Sequence, residues 1–189
     1  MNWNTHLRIK NSDAHAFLGA SKYSWLNYDE DKLKEAYNRY KAKELGTKLH
    51  DLACKHIQLG IYMPNDDTTF NCYVNDAIDY NMTPEQVLYY SDNCFGTADS
   101  ILFLEDDNLL RIHDLKTGTT KASMNQLYIY AALFCLEYDV KPGDIEYKLR
   151  IYQNNKIIKD SPSGADILPI MDKIIRFDKY IRKIKEAYS

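Results

Sequence analysis

Asp114, Leu115 and Lys116 end a predicted strand whose earlier residues are mostly apolar. Because side chains alternate between the two faces of a strand, Asp114 and Lys116 share one face and Leu115 points to the other. The face with the two charged residues otherwise carries Leu110 and Ile112. An acid and a lysine on such a face are costly to bury unless they are used. A divalent cation beside the acid and a water molecule beside the lysine would be such a use.

Three more polar side chains are expected near this strand end. Asp99 follows a Gly-Thr-Ala step in the preceding strand, which an acidic turn at residues 105–108 joins to the next. Gln126 and Tyr130 are four residues apart on a predicted helix, so they share a face. Ser123 and Gln126 also fit a capping-box pattern, which leaves a purely local role for the glutamine open.

His50 lies on a long amphipathic helix predicted from Asp29 to Leu59. Gly46, one turn earlier, costs about 1 kcal/mol relative to alanine in a helix interior, and would let another backbone or a nucleic-acid strand approach. His50 fits either a metal ligand or an ordinary histidine at the margin of the core. Glu44 precedes His50 by about 600° of helix rotation, so the two do not share a face, and Glu44 is kept as a second choice.

In this order, the motifs resemble those of the PD-(D/E)xK nuclease superfamily. The similarity is greatest to its RecB-like branch, which includes stand-alone phage exonucleases and Cas4-type proteins. The matching motifs are Gly46-Thr-x-x-His50, Gly96-x-x-Asp99, Asp114-x-Lys116-Thr-Gly and Gln126-x-x-x-Tyr130-Ala. The resemblance extends from about Ser21 to Tyr152.

The resemblance implies an α/β fold with a restriction-endonuclease-like core, in which the order α-β-β-β-α-β forms a mixed sheet flanked by helices. Apolar periodicity predicts this order directly and adds helices at both ends. The predicted helices cover residues 29–59, 69–80, 123–138 and 169–188, and the predicted strands cover 86–90, 95–104, a stretch ending at 116, and 145–152. A chain of 189 residues is most simply one nuclease domain, 1–189.

The resemblance also implies a metal-dependent deoxyribonuclease, most simply an exonuclease on linear DNA in recombination or end processing. Mg²⁺ or Mn²⁺ is expected on the side chains of His50, Asp99 and Asp114 and on the carbonyl of Leu115. Lys116, Gln126 and Tyr130 are expected to serve catalysis. The iron–sulfur cluster of some relatives needs three grouped cysteines after the core, and none follows Cys135, so that cluster is not expected.

The predicted DNA contacts are Ser21, Lys121, Arg176, Lys179 and Arg182. An aromatic-rich segment packing on the core is the alternative for Ser21, and a solvated face is the alternative for the basic last helix. The formal net charge of −3 argues against DNA coating the whole surface but leaves room for a local basic face. Proteins of this kind often work with a single-strand annealing protein and some form rings, so the resemblance allows such a partner and a homo-oligomer.

No run of about 18 apolar residues is present, so no membrane partner is expected. The first ten residues lack the apolar region of a secretory signal, and the four cysteines are far apart, which favours a cytoplasmic protein with free thiols. Two alternatives to the exonuclease stay open. One is an endonuclease specific for DNA structure, and the other is a catalytically idle module that binds nucleic acid or protein on the same fold.

Overall fold

The computed structural model of the protein describes residues 4–7 and 16–188. Packing divides the chain into two units, Met1–Leu45 and Gly46–Ser189. The boundary falls inside a long helix, α1 (Glu30–Leu59), so each unit contains part of that helix. The single nuclease domain expected from the sequence stays a prediction.

The first unit contains a 3-10 helix, Ala20–Asn27, followed by the first half of α1. Its aromatic side chains pack on one another. The ring centroid of Phe17 lies 5.2 Å from that of Tyr37 and 5.4 Å from that of Tyr40. The second unit, which carries the sheet, begins at Gly46 in the second half of α1.

The second unit is built on a five-stranded sheet in the order β1-β2-β3-β4-β5. The strands are β1 (Thr83–Ser91), β2 (Cys94–Leu104), β3 (Leu109–Lys116), β4 (Glu146–Gln153) and β5 (Lys156–Asp160). β3 and β4 are parallel and all other neighbours are antiparallel, so the sheet is mixed. A parallel pair needs a crossover connection, and helix α3 (Asn125–Glu137) provides it.

Helices flank the sheet on both faces. Ala53 and Ile57 of α1 and the helix α2 (Thr69–Asp79) form one core with Leu115 and Tyr152. Helix α3 and the last helix, α4 (Gly164–Ala187), belong to the core on the other face. The predicted α/β class, with a mixed sheet between helices, is therefore confirmed. Across the part of the chain that the structure describes, none of the helices combines the length and apolar character that crossing a membrane requires.

The central strand β3 shows the predicted alternation. Leu110 and Ile112 are fully buried in the core that α3 covers, whereas Leu115 belongs to the core on the opposite face. Asp114 is also fully buried, and Lys116 at the strand end is half-buried. The fold thus places an acid and a lysine at the C-terminal end of β3, the middle strand of the sheet.

The edge strand β5 was not predicted from the sequence. All its residues but the last are exposed, so it lacks the apolar alternation that marks a strand. Its position is defined by pairing with β4 through a tight turn at Asn154 and Asn155, whose φ angles are 51° and 55°. Asparagine tolerates this left-handed conformation better than most residues.

The last helix begins at Gly164, so its predicted start at Pro169 was wrong. The backbone N–H and the hydroxyl of Ser163 both donate to Asp166 Oδ2, at 2.8 and 2.7 Å, and this local network defines the helix start. Pro169 lies inside the helix, in its second turn, although proline is most often found in the first turn.

Candidate active site

Three carboxylates form a row across the first three strands. Pro84 pairs with Ser100 and Gln86 pairs with Ala98, which places Glu85 and Asp99 between two paired positions of β1 and β2. The pairing of β2 with β3 ends one residue away, at Ser100 and His113, and its continuation brings Asp99 beside Asp114. The three acids therefore occupy neighbouring positions on the first three strands.

Helix α1 adds an imidazole to this row. His50 Nδ1 lies 3.4 Å from Asp99 Oδ2. One ligand atom from each of His50, Glu85 and Asp99 lies within 4.8 Å of the other two. Ligands across an Mg²⁺ ion are about 4 Å apart, so this group is close to the spacing that one cation requires. The sequence prediction grouped Asp114 with His50 and Asp99, whereas the structure brings Glu85 to this spacing and holds Asp114 against Lys116.

Glu85 was missed by sequence reasoning. Thr83 and Pro84 looked like the end of a segment, and the strand was predicted to start at Gln86. Glu85 instead lies within the edge strand with φ at 52°, an uncommon conformation for a residue other than glycine. Although the residue is exposed, desolvation by its neighbours raises the pKa of its carboxyl group, and the nearby His50 opposes that shift. Extending β1 by three residues would have placed this carboxylate beside Asp99.

Asp99 and Asp114 occupy positions that penalise their negative charge. Burial, and then the charge of Asp114, raise the pKa of Asp99 to about 6, although His50 and the N–H of Leu115 favour its ionised form. That N–H donates to Asp99 Oδ2 at 2.8 Å. Burial likewise raises the pKa of Asp114, against the opposing effect of Lys116. A cation at this site would reverse the penalty for both acids.

The ammonium group of Lys116 is held between two acceptors. Lys116 Nζ donates to Asp114 Oδ1 at 2.9 Å and to Gln126 Oε1 at 2.8 Å. Gln126 Nε2 in turn donates to the hydroxyl of Tyr130 at 2.9 Å. The Gln126 side chain is therefore engaged with Lys116 instead of capping its own helix at Ser123. The four residues predicted for this part of the site form one continuous hydrogen-bonded chain.

Two glycines make room for parts of this chain. A Cβ atom at Gly96 would lie 2.9 Å from the ring of Tyr130, and one at Gly46 would lie 2.8 Å from the hydroxyl of Thr117. Both distances are shorter than ordinary carbon contacts. Gly96 thus admits the ring that orients Gln126, and Gly46 admits the side chain that follows Lys116. A close approach to Gly46 was predicted for another backbone or a nucleic-acid strand. In the structure the group that approaches is the side chain of Thr117, which follows β3.

Gln153 fixes the loop between Lys116 and helix α3. Its Nε2 donates to the carbonyls of Gly118 and Thr120, both at 2.7 Å, and its Oε1 accepts the N–H of Ala122 at 3.0 Å. Gln153 is buried and lies beside Lys116 in the register of β3 and β4. The loop is therefore tied to the neighbouring strand. Sequence reasoning missed this residue, whose one signal is a polar side chain at the end of an apolar strand.

The remaining predicted residues lie at more exposed positions. Lys121 is exposed in the loop that Gln153 fixes. Ser21 is exposed in the 3-10 helix of the first unit. Glu44 also belongs to the first unit, where its carboxylate accepts a hydrogen bond from Lys41 Nζ at 3.0 Å. The ion pair is exposed and lies within one turn of α1, and a role for Glu44 in the site stays a second choice.

The basic residues of α4 differ in their surroundings. Arg176, Lys179 and Arg182 are all exposed. Arg182 Nε lies 2.8 Å from Asp178 Oδ2, and the guanidinium of Arg176 lies 5.3 Å from the ring centre of Phe177. Two of the three DNA contacts predicted on α4 thus have partners within their own helix.

The donor set fits a hard divalent cation. It consists of carboxylate oxygens and one imidazole nitrogen, which suits Mg²⁺ or Mn²⁺. Asp114 Oδ2 is buried without a hydrogen-bond partner among residues 4–7 and 16–188, as expected of an oxygen that a cation could use. Comparison of the chain with protein-family models, curated proteins and solved structures gave no significant match. The arrangement itself defines a cation-suited acidic site beside an oriented lysine.

Proposed function

We propose that the chain is a metal-dependent nuclease that hydrolyses phosphodiester bonds in DNA. The observation that carries this proposal is the lysine held between Asp114 and Gln126, next to an acidic group suited to a cation. The proposal also rests on the order of elements. Three antiparallel strands, a crossover helix and a parallel fourth strand agree with the PD-(D/E)xK core, and the motifs agree with its RecB-like branch.

His50, Glu85 and Asp99 would hold Mg²⁺ or Mn²⁺, with Asp114 and the carbonyl of Leu115 beside them. Carboxylate oxygens suit both ions, whereas imidazole moves the preference toward Mn²⁺. When bound, such an ion polarises the scissile phosphate and lowers the pKa of a water molecule. The desolvated acids favour this role because their charge is costly without a cation nearby.

Lys116 would act on water and on the charge that develops in the transition state. An ammonium group has three donors, and Asp114 and Gln126 accept from two of them. The third is left for a water molecule or a phosphate oxygen. Because the ammonium is oriented before substrate binds, it stabilises developing negative charge without reorganisation. The hydrogen bond from Gln126 to Tyr130 fixes which end of the amide faces the lysine.

The proposed substrate is linear DNA, and the proposed setting is recombination or end processing. Lys121 would contact phosphates next to the site, and Ser21, Lys179 and Arg182 would do so elsewhere on the chain. A single-strand annealing partner and a ring-forming homo-oligomer follow from the resemblance alone.

Three DNA substrates test the proposal directly. The protein is incubated with end-labelled linear duplex, closed circular duplex and single-stranded DNA, each with Mg²⁺, Mn²⁺ or a chelator. We expect release of nucleotides from linear ends with either metal and none in chelator. Cleavage of the closed circle would indicate an endonuclease. Inertness toward all three DNAs with both metals would contradict the proposal and favour a binding module.

A further inference from the structure

An apolar groove lies between α4, α3 and the start of β2, with a volume of about 290 Å³. Ile174, Phe177 and Ile181 line it from α4, and Ile129 and Cys94 line it from the other side. Phe177 is 50% exposed and Ile129 is 42% exposed. Apolar side chains that are exposed together, and not singly, mark interaction sites.

Basic residues outnumber acids on the helix that lines this groove, although the whole chain has a formal net charge of −3. The helix carries six lysines and arginines and four acids, Asp166, Asp172, Asp178 and Glu186. Residues 173–185 contain six lysines and arginines and one acid, Asp178. The Asp178 carboxylate is buried and accepts hydrogen bonds from Ser91 and Asn93 at 2.6 and 2.8 Å, in addition to its ion pair with Arg182. The Asp178 carboxylate is therefore used internally, and Asp172 is the exposed acid that adjoins Lys173 on the helix.

Two cations stand beside the groove. Lys173 lines it, with its Nζ 5.6 Å from the ring centre of Phe177, and the guanidinium of Arg176 lies 5.3 Å from the same ring. Among the residues placed by the structure, no carboxylate forms an ion pair with either side chain. The groove thus combines an apolar centre with two neighbouring cations that are not held in ion pairs with any described residue.

We propose that this groove binds a segment of a partner protein in which a bulky apolar side chain is flanked by aspartates or glutamates. The apolar side chain would enter between Phe177 and Ile129, and the carboxylates would pair with Lys173 and Arg176. DNA fits less well, because a phosphate backbone would use the cations and leave the apolar wall without a role. The proposal concerns a surface separate from the acidic site and does not depend on nuclease activity.

Fluorescence anisotropy with three labelled decapeptides tests the proposal. The first is made of aspartates and glutamates around one central phenylalanine, the second has serine in place of phenylalanine, and the third has asparagine and glutamine in place of the acids. We expect the first to bind and each of the others to bind at least about tenfold more weakly. Failure of the first peptide to bind below about 1 mM would overturn the proposal.

Variants locate the binding site. Lys173→Glu combined with Arg176→Glu should weaken binding of the first peptide by at least about tenfold, as should Phe177→Ser. The control combines Lys55→Glu with Lys156→Glu, which makes the same change in net charge at exposed positions outside α4 and should stay within about twofold of wild type. Ile129→Ser tests the opposite wall of the groove if the Phe177 variant does not fold.

Two other occupants would be recognised by their own results. If short duplex DNA displaces the peptide, and the double variant at positions 173 and 176 weakens DNA binding as much as peptide binding, the groove follows phosphates and the proposal fails. If the protein sediments as a dimer that Ile129→Glu dissociates, a second copy covers the groove and the proposal also fails. Equal effects of the control pair and the groove pair would mean that only diffuse charge attracts the peptide.

Discussion

Two polar clusters on the sheet differ in how their charges are balanced. In the cluster beneath α2, Asp76 Oδ2 accepts from Arg150 Nη1 at 2.6 Å and from the hydroxyl of Tyr152. Arg150 Nη2 also donates to the hydroxyl of Tyr80 at 3.1 Å. At the strand ends, by contrast, Glu85, Asp99 and Asp114 outnumber the one lysine that is held among them.

The α2-side cluster also contains atoms without partners, but their chemistry is different. Arg111 Nε and His113 Nε2 lack hydrogen bonds within the described part of the chain. The guanidinium of Arg111 lies 3.7 Å from the ring centre of Tyr80, where its delocalised charge is stabilised. Burial, and then the charges of Arg150 and Arg111, lower the pKa of His113 and keep it neutral. The unpartnered atom of the strand-end cluster belongs instead to a carboxyl group, Asp114.

The comparison teaches how a structural cluster differs from a functional one. Where a partly buried acid is matched by a guanidinium and a hydroxyl, the cluster stabilises the fold and needs nothing more. Where buried acids exceed the available cations, their ionised forms are costly until a cation binds. The two clusters should therefore respond differently to mutation, pH and metal.

Lys116→Ala should have the largest effect on the strand-end cluster. A single group that acts on a proton or on transition-state charge contributes about 10²–10⁴-fold, so the rate of DNA hydrolysis should fall by that factor. Metal binding should persist because the lysine is not a ligand of the ion, and DNA binding should persist because the lysine would be one of several DNA contacts. Single-turnover kinetics measure the rate of hydrolysis, and calorimetry with Mn²⁺ measures metal binding. Lys55→Ala, at an exposed position on α1, is the control. If the Lys116 variant hydrolyses DNA within threefold of the rate of this control, Asp114-Leu115-Lys116 is not the active motif.

The stability of the metal-free protein should depend on pH through Asp99. Its pKa is about 6 in the folded state against 3.8 ordinarily, so the folded state retains a proton that the unfolded state has already lost. The contribution of Asp99 to the free energy of unfolding is therefore highest below pH about 4. It falls by about 3 kcal/mol as the pH rises to about 6 and stays low above that pH. Asp66 and Asp178, whose pKa values are lowered, contribute the opposite slope.

The difference between wild type and Asp99→Asn isolates this contribution. Urea unfolding from pH 4 to 8 in chelator should show the wild type losing stability relative to the variant as pH rises, and saturating Mn²⁺ should abolish the trend. Parallel stability curves for the two proteins would show that Asp99 is not held in a site that penalises its charge.

Asp76→Asn should destabilise the balanced cluster. Breaking a buried ion pair costs about 3–5 kcal/mol, and partial exposure of Asp76 and Arg150 reduces the expected loss to roughly 2 kcal/mol. Glu146→Gln is the matched control, because the pair of Glu146 with Lys148 is exposed and should contribute less than about 1 kcal/mol. Urea unfolding in chelator and in Mn²⁺ should give the same loss for Asp76→Asn. A loss that changes with Mn²⁺ would mean that this cluster, too, belongs to a metal site.

Much of the strand-end cluster was predictable because it depends on short-range periodicity. The period of two in β3 places Asp114 and Lys116 together, and four-residue spacing places Gln126 beside Tyr130. Glu85 and Gln153 depend on other information. The first requires a left-handed residue inside an edge strand, and the second bonds to loop carbonyls across the sheet. The boundary between the two units was not predictable either, because the amino-acid composition of α1 does not change where one unit ends and the other begins.

Asp114→Asn should have the smallest net effect in chelator, and its sign is the informative part. Burial raises the pKa of Asp114 despite the adjacent Lys116, so its neutral form is favoured in the folded state. Asparagine imitates that neutral form. We therefore expect the variant to be more stable than the wild type near neutral pH in chelator, which a higher melting temperature would show. The Asp76 variant should change in the opposite direction.

In chelator the Asp114→Asn variant should melt at a higher temperature than the wild type, and bound metal should reverse this order. An ion that binds only the folded state at a hundred times its Kd adds about 2.7 kcal/mol, which the wild type should gain and the asparagine variant should largely lose. His50→Ala should lose more of the response to Mn²⁺ than of that to Mg²⁺, because imidazole suits the softer ion better. Melting curves of the three proteins in chelator, Mg²⁺ and Mn²⁺ decide the matter. If the asparagine variant gains as much from Mn²⁺ as the wild type does, then the acid excess at the strand ends does not bind the cation through Asp114, and the contrast between the two clusters is one of folding alone.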